Sequence, residues 1–511
     1  MEIRVGIVQN QASVDFATAD AFRIVDASGR VLLDKGKPRS VWRATVENGR
    51  PASPVFLLVV QTTKDRVAAE RLLAELRAKG LDVVMDELGK KVEVAGKLLR
   101  DYRSYRVRLN RVFSSRQEAE KGQSAVRGTW TTIVQEPGQP EGVLVLTEPA
   151  TGLTLRSKLP VRVEGSRVAI KGVVVGKGYV YERQENRLFR GAMVFMVDRW
   201  GKVTAVNVVS LDDYLRSVVP SEMSGEFPLE ALKAQAVAAR TMVLYTMGSR
   251  HPDDPFEVCA DVHCQVYGGI TAEKDRSTEA VRATAGEVLT YKGQLCEAVY
   301  SSLCGGHTES NEHVWQGPAQ PYLRGVVETE EGAAYAGRYD LSREEVVRRW
   351  IAARPPVFCN VGEESVPTGF GYAKDSFRWD LRVSADELRR TVTSATGQDP
   401  GQVLELVPLE RGVSGRLVRL QVRGTLRTVT VARELTIRKA LADPPLRSSC
   451  VVFDREEGPG GQAVFRIRGA GSGHGVGMCQ TGAAMMALRH GKDYRQILNH
   501  YFVGAEITRL Y

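Results

Sequence analysis

The stretch 211–247, LDDYLRSVVPSEMSGEFPLEALKAQAVAARTMVLYTM, constrains this chain more than any other, because it specifies a helix that must be packed on several sides. Pro228 suits a first helical position, where its missing N–H costs nothing. Leu229, Leu232, Ala236, Ala239 and Val243 then recur at helical spacing. Alanines at 231, 234, 236, 238 and 239 let neighbouring elements approach closely, while Lys233, Gln235 and Arg240 are polar groups on an otherwise compact surface. The helix starts after Glu222, so a carboxylic acid stands at its mouth. Val218, Val219, Pro220, Met223 and Phe227 offer it an apolar, partly dry setting of the kind that raises a carboxyl pKa. Asp212 and Asp213, just before Tyr214-Leu215, read as helix caps.

A length of 511 residues fits about three domains, and 43% hydrophobic with 26% charged residues is ordinary globular composition. The net charge of +9 favours a polyanionic partner such as nucleic acid, an anionic membrane surface or cell wall; a merely basic surface is the plain alternative. Lys and Arg are spread along the chain and no helix-turn-helix or zinc-finger pattern is present, so nucleic acid is set aside. No apolar run approaches a membrane span, and MEIRVGIVQN lacks a signal-peptide pattern, which taken alone argues for the cytoplasm. Seven cysteines, an odd number and widely scattered, do not form a disulfide framework.

Residues 1–50 alternate apolar and polar in short runs around Ile3-Val5-Ile7, Phe22-Ile24 and Val31-Leu32, and read as a small β-module. Residues 55–136 carry a weak repeat in which strand, helix and strand (56–60, 65–79, 81–85) recur as 105–109, 115–126 and 130–134, with Gly80 and Gly128 ending the helices. Two such halves make a ferredoxin-like sandwich. Strands follow at 143–146, 159–163, 168–174, 193–197 and 203–209. Residues 335–465 read as scaffold, with helices at 342–352 and 385–393 and with Cys359 and Cys450 as buried thiols.

After the alanine-rich helix, SRHPDDPFEVCADVHCQVYGG places His251, Cys259, His263 and Cys264 within fourteen residues, a Cys2His2 complement for tetrahedral zinc. Neighbours in a strand point to opposite faces, so His263 and Cys264 must lie in a bend to reach one ion. The alternative is four unrelated side chains, with Cys259 and Cys264 as a disulfide. A closed four-ligand site is structural, because catalytic zinc keeps a position open for water. Near the C-terminus, GAGSGHGVGMCQTGAA is a glycine-rich loop whose backbone can lie against a ligand.

These stretches together resemble the SpoIID/LytB family, typified by stage II sporulation protein D. The family pattern of a YRG-like turn, a strand, then D/E-YL-x-x-VVP-SEM and P-x-EALKAQAVAARTY stands here as Phe189-Arg190-Gly191, 203–209 and 211–247. CADVHCQVY matches its C-D-x-x-HCQ-x-Y, and 300–327 matches its S-x-GG-x-T-E segment. The last loop matches G-x-GHGVGMSQ-x-GA, with Cys479 where serine is usual, which weakens any hydrogen bond donated there. In addition VQTTKDRVAAERLLAELRAKGLDVV resembles a SPOR domain, whose family role is binding peptidoglycan glycan strands; a generic α+β domain of the same topology is the alternative.

The resemblance implies a multidomain α+β protein: a β-module at 1–50, a SPOR-like ferredoxin-like domain at 55–136 and a SpoIID/LytB domain at 140–511. It implies a lytic transglycosylase acting on peptide-free peptidoglycan strands, with Glu222 as acid and then base, and substrate contacts from Arg240, Thr308, His474 and Gln480. Glu309 and Asn311 offer further sugar hydrogen bonds, and Trp315 and Tyr322 either stack on sugars or pack in the core. For His474, ordering its own loop is an equal alternative. The resemblance also implies structural zinc on His251, Cys259, His263 and Cys264, and an extracytoplasmic location at cell wall or membrane. Its partners would be glycan strands and a cell-wall amidase or other sporulation proteins. Two rival functions are a non-catalytic glycan-binding enhancer of that amidase and a scaffold in a sporulation complex.

Overall fold

The computed structural model describes residues 1–125, 129–176, 182–332, 339–362, 366, 368–458 and 461–511. They form a multidomain α+β chain with two compact units, Met1–Val218 with Val243–Glu273, and Val219–Met242 with Lys274–Tyr511. No helix among the described residues is long and apolar enough to cross a membrane.

In the first unit, strand Glu2–Gln11 lies inside a seven-stranded sheet between Val258–Cys259 and Val203–Ser210, and the sheet continues through Ala192–Val197, Val161–Glu164, Phe22–Asp26 and Val31–Gly36. A six-stranded sheet runs Leu153–Ser157, Glu141–Glu148, Val41–Arg50, Ser13–Thr18, Arg167–Val175, Arg183–Arg190. Phe16 of the second sheet and Phe195 of the first meet with ring centroids 4.6 Å apart, and Trp42 and Phe22 pack beside them. Residues 1–50 are therefore no module of their own. Their strands pair in part with one another, Phe22–Asp26 with Val31–Gly36 and Ser13–Thr18 with Val41–Arg50, but their other neighbours include strands from 141–210, so both sheets are completed only with those.

The segment 54–137 builds a four-stranded antiparallel sheet in the order Thr132–Pro137, Pro54–Thr63, Ser104–Phe113, Val83–Leu88. Helix Arg66–Ala78 starts at Asp65, whose carboxylate accepts the Ala68 N–H at 3.1 Å. It packs Ala69 and Leu76 on Val83, Tyr105 and Val107. Helix Arg116–Ala125 packs Ala119 on Phe56, Leu58 and Phe113. Val126 and Gly128, expected to end that second helix, lie outside the described residues. Trp130, expected in the last strand, precedes it and is 84% exposed. A hairpin, Lys91–Val94 with Lys97–Asp101, is inserted between the halves.

In the second unit, helices Ala385–Thr396 and Glu434–Leu441 share an apolar core with sheets Arg378–Ser384/Ala463–Ala470/Val451–Glu457 and Val403–Arg411/Leu417–Gly424/Thr428–Ala432. The first of these helices opens on the Ser384 hydroxyl, which accepts the Glu387 N–H at 3.2 Å, and closes on Gly397 in the left-handed conformation. The short parallel pair Tyr300–Ser301 and Met478–Cys479, extended by single bridges Leu303–Ser472 and Glu309–Val476, holds 300–309 against 472–479. Two stretches far apart in sequence thus become one wall.

Candidate functional site

Helix Leu211–Glu222 begins at Ser210, whose hydroxyl accepts the Asp213 N–H at 3.1 Å while bonding the Asp213 carboxylate at 2.8 Å. The cap is therefore Ser210 and not one of the two aspartates expected there; Asp212 and Asp213 lie in the first turn, where Asp213 bonds the capping hydroxyl. Glu222 is the last residue of this helix, and the alanine-rich helix follows as Leu229–Thr246. Pro228 stands one position ahead of it, giving its carbonyl to the Leu232 N–H at 3.1 Å. Ala231, Leu232, Ala234 and Ala236 to Ala239 are each 0% exposed, so the helix is buried on several sides as its alanines require. The connecting turn is fixed by Phe227, whose ring stacks on Phe370 at 4.2 Å and 6°.

Glu222 opens into a cavity of about 520 Å³ lined also by Phe227, Tyr300, Ser302, Tyr372, His474 and Gln480. Glu222 is its sole carboxylate among the described residues that line it. The Gln480 amide donates to the Glu222 carbonyl at 3.1 Å and to the Gln235 side chain at 3.3 Å. His474 accepts the Val476 N–H on Nδ1 at 3.1 Å, which leaves its proton on Nε2. Desolvation, reinforced by the Arg416 guanidinium and only partly opposed by a hydrogen bond to the Tyr300 backbone, pushes its pKa down to about 3, so it remains neutral at physiological pH. The loop that carries it needs glycine: Gly475 has φ +77°, and a Cβ there would run into the Arg416 guanidinium. The Tyr372 hydroxyl lies 2.9 Å from Thr481 Oγ1.

In the first unit the four Cys/His residues converge, their donor atoms all within 4.8 Å of one another. His251 Nε2 is 3.2 Å from Cys264 Sγ, and His263 Nδ1 is 3.8 Å from Cys259 Sγ and 3.7 Å from Cys264 Sγ. The expected bend is present: Asp261 accepts the Cys264 N–H on its carbonyl at 3.0 Å and the Val262 N–H on its side chain at 2.8 Å. His251 Nδ1 is 2.8 Å from Asp254, a carboxylate that orients the ring so that Nε2 faces the cluster. The hydrogen bond from Cys264 pushes the Cys259 thiol down to about 4, and that of Cys264 rises in turn. Both cysteines are free, and the donor set fits tetrahedral zinc.

Comparison with known proteins bears on both places. A family model described as SpoIID, stage II sporulation protein, matches residues 199–291, and one described as a domain of unknown function matches 309–477. Stage II sporulation protein D of Bacillus amyloliquefaciens is 30% identical over 319 residues, 60% of this chain and 76% of the relative. The chain belongs to the SpoIID family. An uncharacterized protein of Brachyspira hyodysenteriae is 29% identical over 75% of this chain and 90% of its own length. The amidase enhancer of Bacillus subtilis is 28% identical over 305 residues, and there the match spans 40% of the relative's length.

Within this SpoIID-family chain, Glu222, His474 and Gln480 meet at the cavity, and Arg240 and Thr308 do not. Arg240 is 0% exposed and donates to the carbonyls of Glu287 at 3.2 Å and Val281 at 3.3 Å. It is not among the described residues that line the cavity. Thr308 is turned inward, its hydroxyl accepting the Val326 N–H at 2.8 Å. Glu309 is 0% exposed and consumed by Ser310, His313, Val413 and Ser414. Asn311 bonds Pro318, Gln320 and Arg324. Tyr322 is buried and offers no ring to a ligand, whereas Trp315 is 39% exposed and lies 4.9 Å from the His474 ring. Tyr300, Ser302 and Tyr372 are among the cavity residues that the sequence did not single out. The first two lie in a motif already noted, but Tyr372 carried no local signal.

Proposed function

We propose that this SpoIID-family protein is a lytic transglycosylase that cleaves peptide-free peptidoglycan glycan strands, outside a membrane, in sporulation cell-wall remodelling. One observation carries the reading: a cleft of about 520 Å³ in which Glu222 is the sole carboxylate among the described lining residues. Hydrolysis at a glycosidic bond ordinarily uses two carboxyl groups, one as acid and one as nucleophile or base. A lone acid suits a reaction in which water does not attack. Glu222 protonates the departing glycosidic oxygen; the resulting carboxylate then takes the proton from the C6 hydroxyl of the muramic residue, whose oxygen closes on C1 to give the anhydro product. Met223 and Phe227, 2% and 1% exposed, give the turn after Glu222 two buried apolar side chains. The His474 ring at the cavity wall and the hydroxyls of Ser302 and Tyr372 are the groups we assign to sugar contacts.

We assign structural zinc to His251, Cys259, His263 and Cys264. Bound there it would supply cross-linking of the 251–264 loop, and no catalytic step. The sheet order of residues 54–137, fourth, first, third, second, with two crossing helices, supports a ferredoxin-like SPOR-type module that binds glycan.

Mass spectrometry of soluble products from peptide-free strands, with wild type and Glu222→Gln, tests the reaction. Anhydro-muramic ends from wild type alone are expected; reducing ends would mean hydrolysis through another carboxylate. The similarity to a protein named amidase enhancer favours a second reading, a glycan-binding enhancer of a cell-wall amidase. It predicts no release from either protein, retained glycan binding and a faster amidase.

A further inference from the structure

A second set of soft donors lies in the second unit and plays no part in the proposed reaction. Cys304, Glu328, Cys359 and Cys479 are buried, with one donor atom of each within 4.8 Å of all the others. We propose that they form a metal site, a tetrahedral Cys3Glu centre for a thiophilic divalent cation of the zinc type, which fastens together the stretches 300–309 and 472–479 that make one wall of the cleft.

Cys304 Sγ and Cys359 Sγ are 3.8 Å apart. Two thiolates at about 2.3 Å from one tetrahedral ion stand about 3.8 Å apart, against about 2.0 Å in a disulfide. The sulfurs receive backbone donors of the kind that stabilise thiolate ligands. Cys479 Sγ accepts the N–H groups of Cys304 and Gly482, each at 3.3 Å, and Cys304 Sγ accepts that of Gly306 at 3.4 Å. Cys479 is also the N-cap of helix Gln480–His490, where the dipole favours negative charge. Glu328 is held by the Tyr501 hydroxyl at 2.6 Å and the Cys359 N–H at 3.0 Å, one bond on each oxygen. Each oxygen keeps a lone pair for an ion, with a second shell already in place. A Cβ at Gly482 would run into both Glu328 and Tyr501, so the carboxylate occupies space that glycine leaves open.

Loading the ion releases the thiol protons to solvent and leaves three thiolates and a carboxylate around a dication. The surplus negative charge faces the amides, the tyrosine and the helix end just named. Sulfur-rich tetrahedral donors select zinc over magnesium or calcium. Position gives the ion its purpose. Ser302 stands two residues before Cys304, and Gln480 follows Cys479, so the ion would clamp together the two stretches that form one wall of the cleft.

The test is metal content per chain in a Cys259→Ser/Cys264→Ser background, which disables the other cluster and separates the two assignments. One equivalent of zinc is expected there, with a thiolate-to-metal absorption band on Co2+ substitution. Both are lost on adding Cys479→Ser, which keeps an N-cap oxygen, or Glu328→Gln. No bound metal in that folded background overturns the proposal, as does alkylation mapping of denatured, unreduced wild type that finds a Cys304–Cys359 disulfide. Should the background variant misfold, 113Cd NMR of wild type decides: a resonance downfield of the Cys2His2 signal, as three sulfurs require, supports the site, and its absence overturns it.

Discussion

Replacing Glu309 with glutamine should unfold the second unit far more readily while touching nothing that binds sugar. The Glu309 carboxylate is 0% exposed and joins two loops. Oε1 accepts from the Ser310 N–H at 2.9 Å, the Val413 N–H at 3.1 Å and His313 Nδ1 at 2.8 Å. Oε2 accepts from the Ser414 N–H at 3.1 Å and the Ser414 hydroxyl at 2.6 Å. These bonds hold the carboxyl below the usual glutamate range despite a desolvation that opposes them. A glutamine amide in either orientation points an NH2 at donors. The cheaper orientation faces Ser414, whose hydroxyl can turn to accept but whose buried N–H is left unpaired. That orphan costs about 1–3 kcal/mol, and the loss of charge at the remaining bonds adds about 1–2, for a total of about 2–5 kcal/mol. With a urea slope of about 2–3 kcal/mol per molar, the midpoint should fall by about 0.7–2.5 M. Urea titration followed by near-UV circular dichroism reads this, with glycan binding of the folded fraction measured alongside. A midpoint unchanged within about 0.3 M, a threshold set at about 1 kcal/mol, together with weakened glycan binding, would refute the structural role and return Glu309 to the ligand.

Arg240→Met should lower the thermal midpoint, by about 2–4 kcal/mol of stability, because the Glu287 and Val281 carbonyls lose buried donors; glycan affinity of the folded protein should be unchanged, and reduced affinity at unchanged stability would place the arginine at the substrate. His313 is raised above its ordinary value by its hydrogen bond to Glu309, so its contribution is complete below pH 6.5 and fades as pH rises through the folded value; melting curves should show the gap between wild type and His313→Gln narrowing as pH rises above 6.5, and a widening gap would contradict the sign. Burial and Arg416 keep His474 neutral down to about pH 3; its ring NMR shifts should therefore not titrate between about pH 5 and 8. Tyr372→Phe removes one hydroxyl from the cleft wall and should cut turnover about tenfold if it donates to substrate, about 1.4 kcal/mol; unchanged product release would remove it from the site.

What the sequence determined by itself was local. Asp65, Ser384 and Gly397 end their helices where side-chain or left-handed caps are needed, and alternation in Glu2–Gln11 set its buried face. The alanine-rich helix was legible because its packing demand is written in consecutive residues, and Glu222 at its mouth came with it. The Cys2His2 cluster was legible because its donors lie within fourteen residues and one bend unites them. Tertiary structure decided the rest, because strand pairing and side-chain direction depend on partners far along the chain. Residues 1–50 divide between two sheets, since edges are satisfied by whichever strands the whole fold brings near. Ser302 reaches the cleft and Thr308 turns away, an outcome set by pairing with 472–479 rather than by residue type. Arg240 was expected at a ligand because a motif carries no burial, and only packing around the helix showed the side chain buried, with two carbonyls among its partners. Tyr372, and the assembly of Cys304, Glu328, Cys359 and Cys479, rest on contacts between segments that no local pattern links.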